Sequence, residues 1–242
     1  MSGTFTTPLC GMLGIRHPLL LAGMAGGPTT PQLVAAVTRA GGLGTFGAAG
    51  MHVDALASAI SDVRAMTRGP IAVNVLLAPA RPGTADADAV AQAFAPLREE
   101  LGLPSEPPPS PPASTALELI EAALAAGATA VSTGLGDPAP VVPLARAAGV
   151  PVIAMVATVA DAVQAVASGA DVIVAQGAEA GGHRSNFTLP DSGVPPMVGI
   201  AALVPQIVAV VDVPVVAAGG LMNGAGLVAA LALGAQGIQL GT

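Results

Sequence analysis

The sequence predicts an α/β fold, a (β/α)8 TIM barrel without a final helix, and three observations carry the prediction. Short runs of Val, Ile and Leu recur along the chain, each ending in Gly or a polar residue. Each run is followed by an Ala-rich segment of helical length, the alternation of a parallel sheet buried on both faces. The 242 residues fit a single α/β barrel, a fold that routinely uses roughly 200–250 residues as one domain.

Strands are expected at Leu19–Ala22, Leu43–Phe46, Ile71–Leu76, Ala130–Thr133, Val152–Val156, Val172–Gln176, Val215–Ala218 and Gly237–Leu240. Helices are expected at Pro31–Ala40, Val53–Met66, Ala87–Leu101, Thr115–Ala126, Pro138–Ala147, Val159–Ser168, Gly199–Val211 and Ala225–Leu233. Thr30 before Pro31 is an N-cap followed by proline at the first helical position. Five of the strand-to-strand intervals match a bare βα unit, and two carry insertions. The insertion after strand three contains Pro104-Ser105-Glu106-Pro107-Pro108-Pro109-Ser110-Pro111-Pro112, which reads as an extended polyproline connector. The insertion after strand six lies over the carboxyl ends of the barrel strands, where active sites form. The whole chain, 1–242, is read as one domain. No eighth helix follows the eighth strand, which would leave strands eight and one uncovered. Either the chain is part of something longer or a partner covers that face, a homo-oligomer being one such arrangement.

Composition narrows the function. The chain is 52% hydrophobic, 10% charged and 2% aromatic, too apolar for a disordered segment. Its 8 basic and 15 acidic residues include no basic cluster and no aromatic platform, so nucleic acid is excluded as an expected partner. Cys10 stands alone, which rules out a disulfide scaffold or a cysteine metal cluster and fits a reducing, cytoplasmic compartment. It reads as a small buried residue. Met1 to Gly11 lacks the basic region of a signal peptide, and the most apolar later stretch is broken by Pro205, Gln206 and Asp212, so no membrane span is expected.

The residues that could carry chemistry cluster at strand ends. Gly219-Gly220 after strand seven and Gly241-Thr242 after strand eight offer bare backbone N–H groups that can close around a phosphate. The segment Gln176-Gly177-Ala178-Glu179-Ala180-Gly181-Gly182-His183-Arg184 delivers an amide, a carboxylate, two glycines and an imidazole in quick succession. Gln176 can donate and accept at a heterocycle edge. Gly181 and Gly182 let the backbone pass close to a planar ligand and turn His183 towards it. His183 can accept a proton from an acidic carbon. Arg184 either pairs an anion or is a solvated surface residue, and Glu179 orients the loop. Asn74, inside an apolar strand, needs a partner, either a ligand or a neighbouring strand end, because an unpaired buried amide costs about 1–3 kcal/mol. Met24 either lies against a flat ligand or packs in the core. His17 and His52 read as caps or surface residues, and no metal-ligand constellation is present.

Taken together, Met24-Ala25-Gly26-Gly27 with Thr30-Pro31, Ala40-Gly41-Gly42-Leu43-Gly44, Val73-Asn74-Val75, the Gln176–Arg184 segment, Ala217-Ala218-Gly219-Gly220 and Ala230–Gly237 through Gly241-Thr242 resemble the nitronate monooxygenase family. The resemblance runs from about Pro18 to the last residue. It implies an FMN-dependent barrel that oxidises alkyl nitronates or nitroalkanes with O2 to carbonyl compounds and nitrite. It further implies flavin contacts from Met24, Asn74, Gln176, Gly181, Gly182, Gly219, Gly220, Gly241 and Thr242, with His183 as catalytic base. Ser185 stands where many members of the family have Gly, and Thr133-Gly134-Leu135 where they often place a bulkier aromatic or His. Two competing readings are an FMN-dependent NAD(P)H reductase of the enoyl-acyl-carrier-protein or quinone type, and a non-catalytic flavin-binding protein.

Overall fold

The computed structural model describes residues 5–77, 87–105, 114–188 and 191–241. They form two compact units, divided after the third strand. The first holds α1 (Pro8–Leu13), β1 (Leu19–Leu21), α2 (Pro31–Ala40), β2 (Gly44–Gly47), α3 (Val53–Met66) and β3 (Ile71–Leu76). The second holds α4 (Ala87–Glu100). The first unit then resumes with α5 (Ala116–Ala125), β4 (Ala130–Gly134), α6 (Val142–Ala148), β5 (Val152–Val156), α7 (Val159–Ala167), β6 (Val172–Gln176), α8 (Ile200–Val208), β7 (Val215–Ala218), α9 (Gly224–Ala232) and β8 (Gly237–Leu240). Of the polyproline connector expected over 104–112, residues 106–112 lie outside the described residues.

All eight strands pair in parallel in the order β1-β8-β7-β6-β5-β4-β3-β2. The barrel closes between β1 and β2, where Leu21 N donates to Leu43 O and Leu43 N to Leu19 O, both at 2.9 Å. Sequence sets the helix starts. Thr30, Thr115, Thr158 and Asn223 each accept a backbone N–H of the first turn through the side chain, satisfying a donor the helix cannot. Thr115 and Glu118 complete a reciprocal capping box. His52 occupies the N-cap position of α3 but makes no side-chain bond there, so it caps in place only.

The core has two layers because each strand buries both faces. Outward residues pack under the helices, as Val73, Val131 and Val152 do with Leu56, Ile60, Leu119 and Ile120. Inward residues, among them Leu20, Leu43, Ala72, Ala130, Ile153 and Val174, fill the barrel itself. Helix α1 was not expected from the sequence; its Leu9, Cys10 and Leu13 join that interior cluster. It is tied to the residue before β8 by Leu9 N to Gln236 Oε1 at 3.1 Å and Thr7 Oγ1 to Gln236 O at 2.6 Å. Thus α1 plugs the amino-terminal end of the barrel, and the opposite end stays open. Strand register then aligns Asn74 with Ser132, and Gln176 with Ala218 and Gln239, at that open end.

Candidate active site

The carboxyl ends of the strands enclose a cavity of about 550 Å³, within the size range of small-molecule sites. Met24, after β1, and Asn74, within β3, line one side of it. Gln176 at the end of β6 and the Gly181-Gly182-His183 turn that follows line another. Gly219 and Gly220 after β7 and Gly241 after β8 also line it. Every predicted site residue that the structure describes therefore meets the others in one cavity; Thr242 lies outside the described residues.

Local chemistry explains how each is held. Gly219 and Gly220 have φ of 138° and 65°, and a Cβ on Gly219 would lie 2.9 Å from Ala180 N. Only glycine turns the chain here at no steric cost while leaving its backbone bare to the cavity. A Cβ on Gly23 would collide with Asn74 Cβ, so a glycine after β1 makes room for the Asn74 side chain. Asn74 is 8% exposed, and its Nδ2 donates to Ser132 Oγ at 3.0 Å. The strand-end partner is therefore present, yet no donor among the described residues reaches Asn74 Oδ1. The Gln239 side chain, also buried and lining the cavity, has no hydrogen-bond partner among the described residues.

The loop after β6 is fastened at many points. Gln176 Nε2 donates to His183 O at 2.8 Å and weakly to Gly181 O at 3.4 Å, while Oε1 accepts from Ser185 N at 2.8 Å. Most of the amide expected at a heterocycle edge is thus engaged with its own loop, leaving one lone pair on Oε1. The Arg184 guanidinium donates to Gly177 O at 2.7 Å and Gln176 O at 2.6 Å. The group is half-buried and does not line the cavity, and its Nε is buried without a hydrogen-bond partner among the described residues. Burial pushes it below its usual pKa, with the nearby Glu179 charge acting the other way. Glu179 accepts from Ile200 N through both carboxylate oxygens, at 3.1 and 3.0 Å, so it anchors the loop to the amino end of α8. The imidazole of His183 is left exposed at the cavity.

Sequence reasoning missed further lining residues, Leu76, Met155 and Gln239 among them, while Ser185 and Leu135, marked in the sequence only as departures from the family pattern, line the cavity too. Leu135 has φ 66°, the left-handed conformation that costs a non-glycine residue of order 1–3 kcal/mol. Its position after β4, at the carboxyl end of the sheet, was the available signal. Among the described residues no group of three or more His, Cys, Asp or Glu stands together to hold a metal ion, and no helix is long and apolar enough to cross a membrane.

A family model described as nitronate monooxygenase matches residues 6–242. The chain is 36% identical over 239 residues to a probable nitronate monooxygenase of Staphylococcus saprophyticus, covering 98% of this chain and 67% of that protein. It is 39% identical over 234 residues to the probable nitronate monooxygenase of Staphylococcus aureus strain Newman, covering 96% and 65%. Among solved structures, the nitroalkane oxidase of Streptomyces ansochromogenes superposes with a TM-score of 0.85 at 32% identity, covering 97% of this chain and 67% of that one. FabK of Thermotoga maritima superposes with a TM-score of 0.74 at 32% identity, covering 97% and 61%. The chain spans about two thirds of the length of these relatives.

Proposed function

The chain belongs to the nitronate monooxygenase family, and from that premise we propose that it is an FMN-dependent oxidoreductase that converts alkyl nitronates and nitroalkanes, with O2, to carbonyl compounds and nitrite. One observation carries the reading. The exposed imidazole of His183 shares a single cavity with bare glycine backbone and two amide side chains that lack partners on the cavity side.

These residues suit a flavin mononucleotide. Gly219, Gly220 and Gly241 offer bare backbone for its phosphate, with Thr242 the next residue in line. Asn74 Oδ1 and the remaining lone pair of Gln176 Oε1 suit donors on a ring edge. Gly181 and Gly182 allow close approach to a flat ring, and Met24 supplies a polarisable face against it. FMN held there would supply the electron transfer between nitronate and O2.

The protein's own share is binding and proton transfer. For a neutral nitroalkane, His183 removes the α-proton and the resulting imidazolium faces the nitronate oxygens. A preformed nitronate is already anionic and needs only that electrostatic support. Leu76, Leu135 and Met155 give the cavity an apolar wall that suits an alkyl chain and limits water. All of these residues belong to the barrel unit, so the reaction is assigned to one domain. Cys10 is buried and is the only cysteine, which suits the reducing cytoplasm.

The test is to load the purified chain with FMN, supply an alkyl nitronate in air and assay nitrite. Nitrite release without consumption of NAD(P)H is expected. Rapid anaerobic bleaching of the flavin by NADH or NADPH with no nitrite would favour the reductase reading, and a bound flavin inert to both substrates the non-catalytic one.

A further inference from the structure

We propose that Ser185 is a positioning residue for this site, its hydroxyl holding Leu135 in the left-handed conformation and tying the ends of β4 and β5 to the loop that carries His183. The functional part of this inference rests on the assignment of His183 as the base; the structural part does not.

Ser185 is 1% exposed, two residues beyond His183. Its hydroxyl accepts from Leu135 N at 2.9 Å and donates to Met155 O at 2.8 Å. Its own N–H donates to Gln176 Oε1 at 2.8 Å, and the same Gln176 amide donates to His183 O. One small residue therefore joins three neighbouring strands: β4 through Leu135, β5 through Met155 and β6 through Gln176. Leu135 and Met155 line the cavity, so the hydroxyl sets two pieces of its wall as well as the His183 loop.

Leu135 gives the arrangement its strain. Among the described residues it alone, glycines aside, has a positive φ. Such a backbone persists only where its surroundings over-determine it. The bond from Leu135 N–H to Ser185 is a direct restraint of that kind, made to a residue fifty positions away in sequence. Neither glycine nor alanine at 185 could supply it, since neither has a side-chain acceptor.

The test is a double-mutant cycle on the full chain with Ser185→Ala and Leu135→Gly. Glycine adopts positive φ unaided, so L135G removes the need for the restraint. We expect S185A to speed amide exchange at Leu135 about tenfold and to lower kcat for nitroalkane about tenfold, the worth of a buried hydrogen bond. In the L135G background the kcat loss on adding S185A should shrink to less than about threefold, which is the signature of coupling. Unchanged exchange at Leu135 in S185A, or equal kcat losses in both backgrounds, would overturn the proposal. Should S185A not fold, rescue by L135G would support it and absence of rescue would count against it. The exchange measurement needs no flavin or substrate, so a parent chain that releases no nitrite would sink the assigned activity while leaving the restraint decided on its own data.

Discussion

The side-chain amide of Gln176 donates to the carbonyl oxygen of His183 at 2.8 Å, so the residue that ends β6 also fixes the backbone of the proposed base seven residues on. Gln176 is 3% exposed, and replacing it with Ala would leave His183 O and Ser185 N without their partner. The Ser185 N–H is buried, and leaving it without a partner costs about 1–3 kcal/mol. The expected outcome for Gln176→Ala is a fall of roughly 10–100-fold in kcat/KM for nitroalkane, in line with one such loss at the site. Gln176→Glu keeps an acceptor for Ser185 N–H but loses the donor to His183, and should fall between parent and Ala in steady-state assays.

The plug at the far end of the barrel predicts a different pattern. Leu9 is fully buried in the interior cluster, and truncation to Ala should cost about 2–5 kcal/mol through lost contacts and the cavity left behind. In a domain of this size that lowers Tm by roughly 4–20 °C. Because α1 and the cavity occupy opposite ends of the strands, kcat at 25 °C should stay within about twofold of the parent. Calorimetry together with the nitrite assay would separate the two effects.

Asp137 supplies a pH dependence whose sign follows from its contacts. Burial would raise its pKa, but hydrogen bonds from Ala139 N–H, Ser168 and Gln164 outweigh it and hold the carboxyl below its ordinary value of 3.8. The Ala139 and Gln164 bonds measure 2.9 and 2.6 Å. A carboxyl depressed on folding contributes stability above its unfolded pKa and loses it as pH falls through the lower folded value. The Tm gap between parent and Asp137→Asn should therefore be fullest above pH 3.8 and narrow progressively below it. A gap independent of pH would refute the assignment.

How much was legible in the sequence follows from the range of the interactions involved. The strands Ile71–Leu76, Val152–Val156, Val172–Gln176, Val215–Ala218 and Gly237–Leu240 carry the bounds expected of them, because strands buried on both faces read as unbroken apolar runs. Helices α2 and α3 likewise match, Thr30 and Pro31 marking the start of α2. The second strand is shifted by one residue because Leu43 pairs outside it, in the bridge that closes the barrel. The α6 helix begins at Val142, four residues later than Pro138, since Pro138–Val141 forms a turn with Val141 N bonded to Pro138 O. Six-residue α1 contains Gly11 and is too short to show a helical period.

The site divides in the same way. Glycine turns and the His183 loop announce themselves because their chemistry is contiguous. Ser185 and Leu135 show in the sequence only as departures from the family pattern, and Met155 not at all, since their meeting depends on β4, β5 and β6 lying side by side and joins residues thirty to fifty positions apart. The loop contacts of Arg184 were hidden for a related reason. Its partners are backbone carbonyls of its own loop, which no residue type advertises.

Whether His183 acts as base in this cavity is decided by His183→Asn assayed in parallel on a neutral nitroalkane and on its preformed nitronate. Nitroalkane turnover is expected to fall by about 10²–10⁴-fold, the usual contribution of a general base, while nitronate turnover stays within roughly tenfold of the parent. Undiminished nitroalkane turnover, or equal losses on both substrates, would contradict that role.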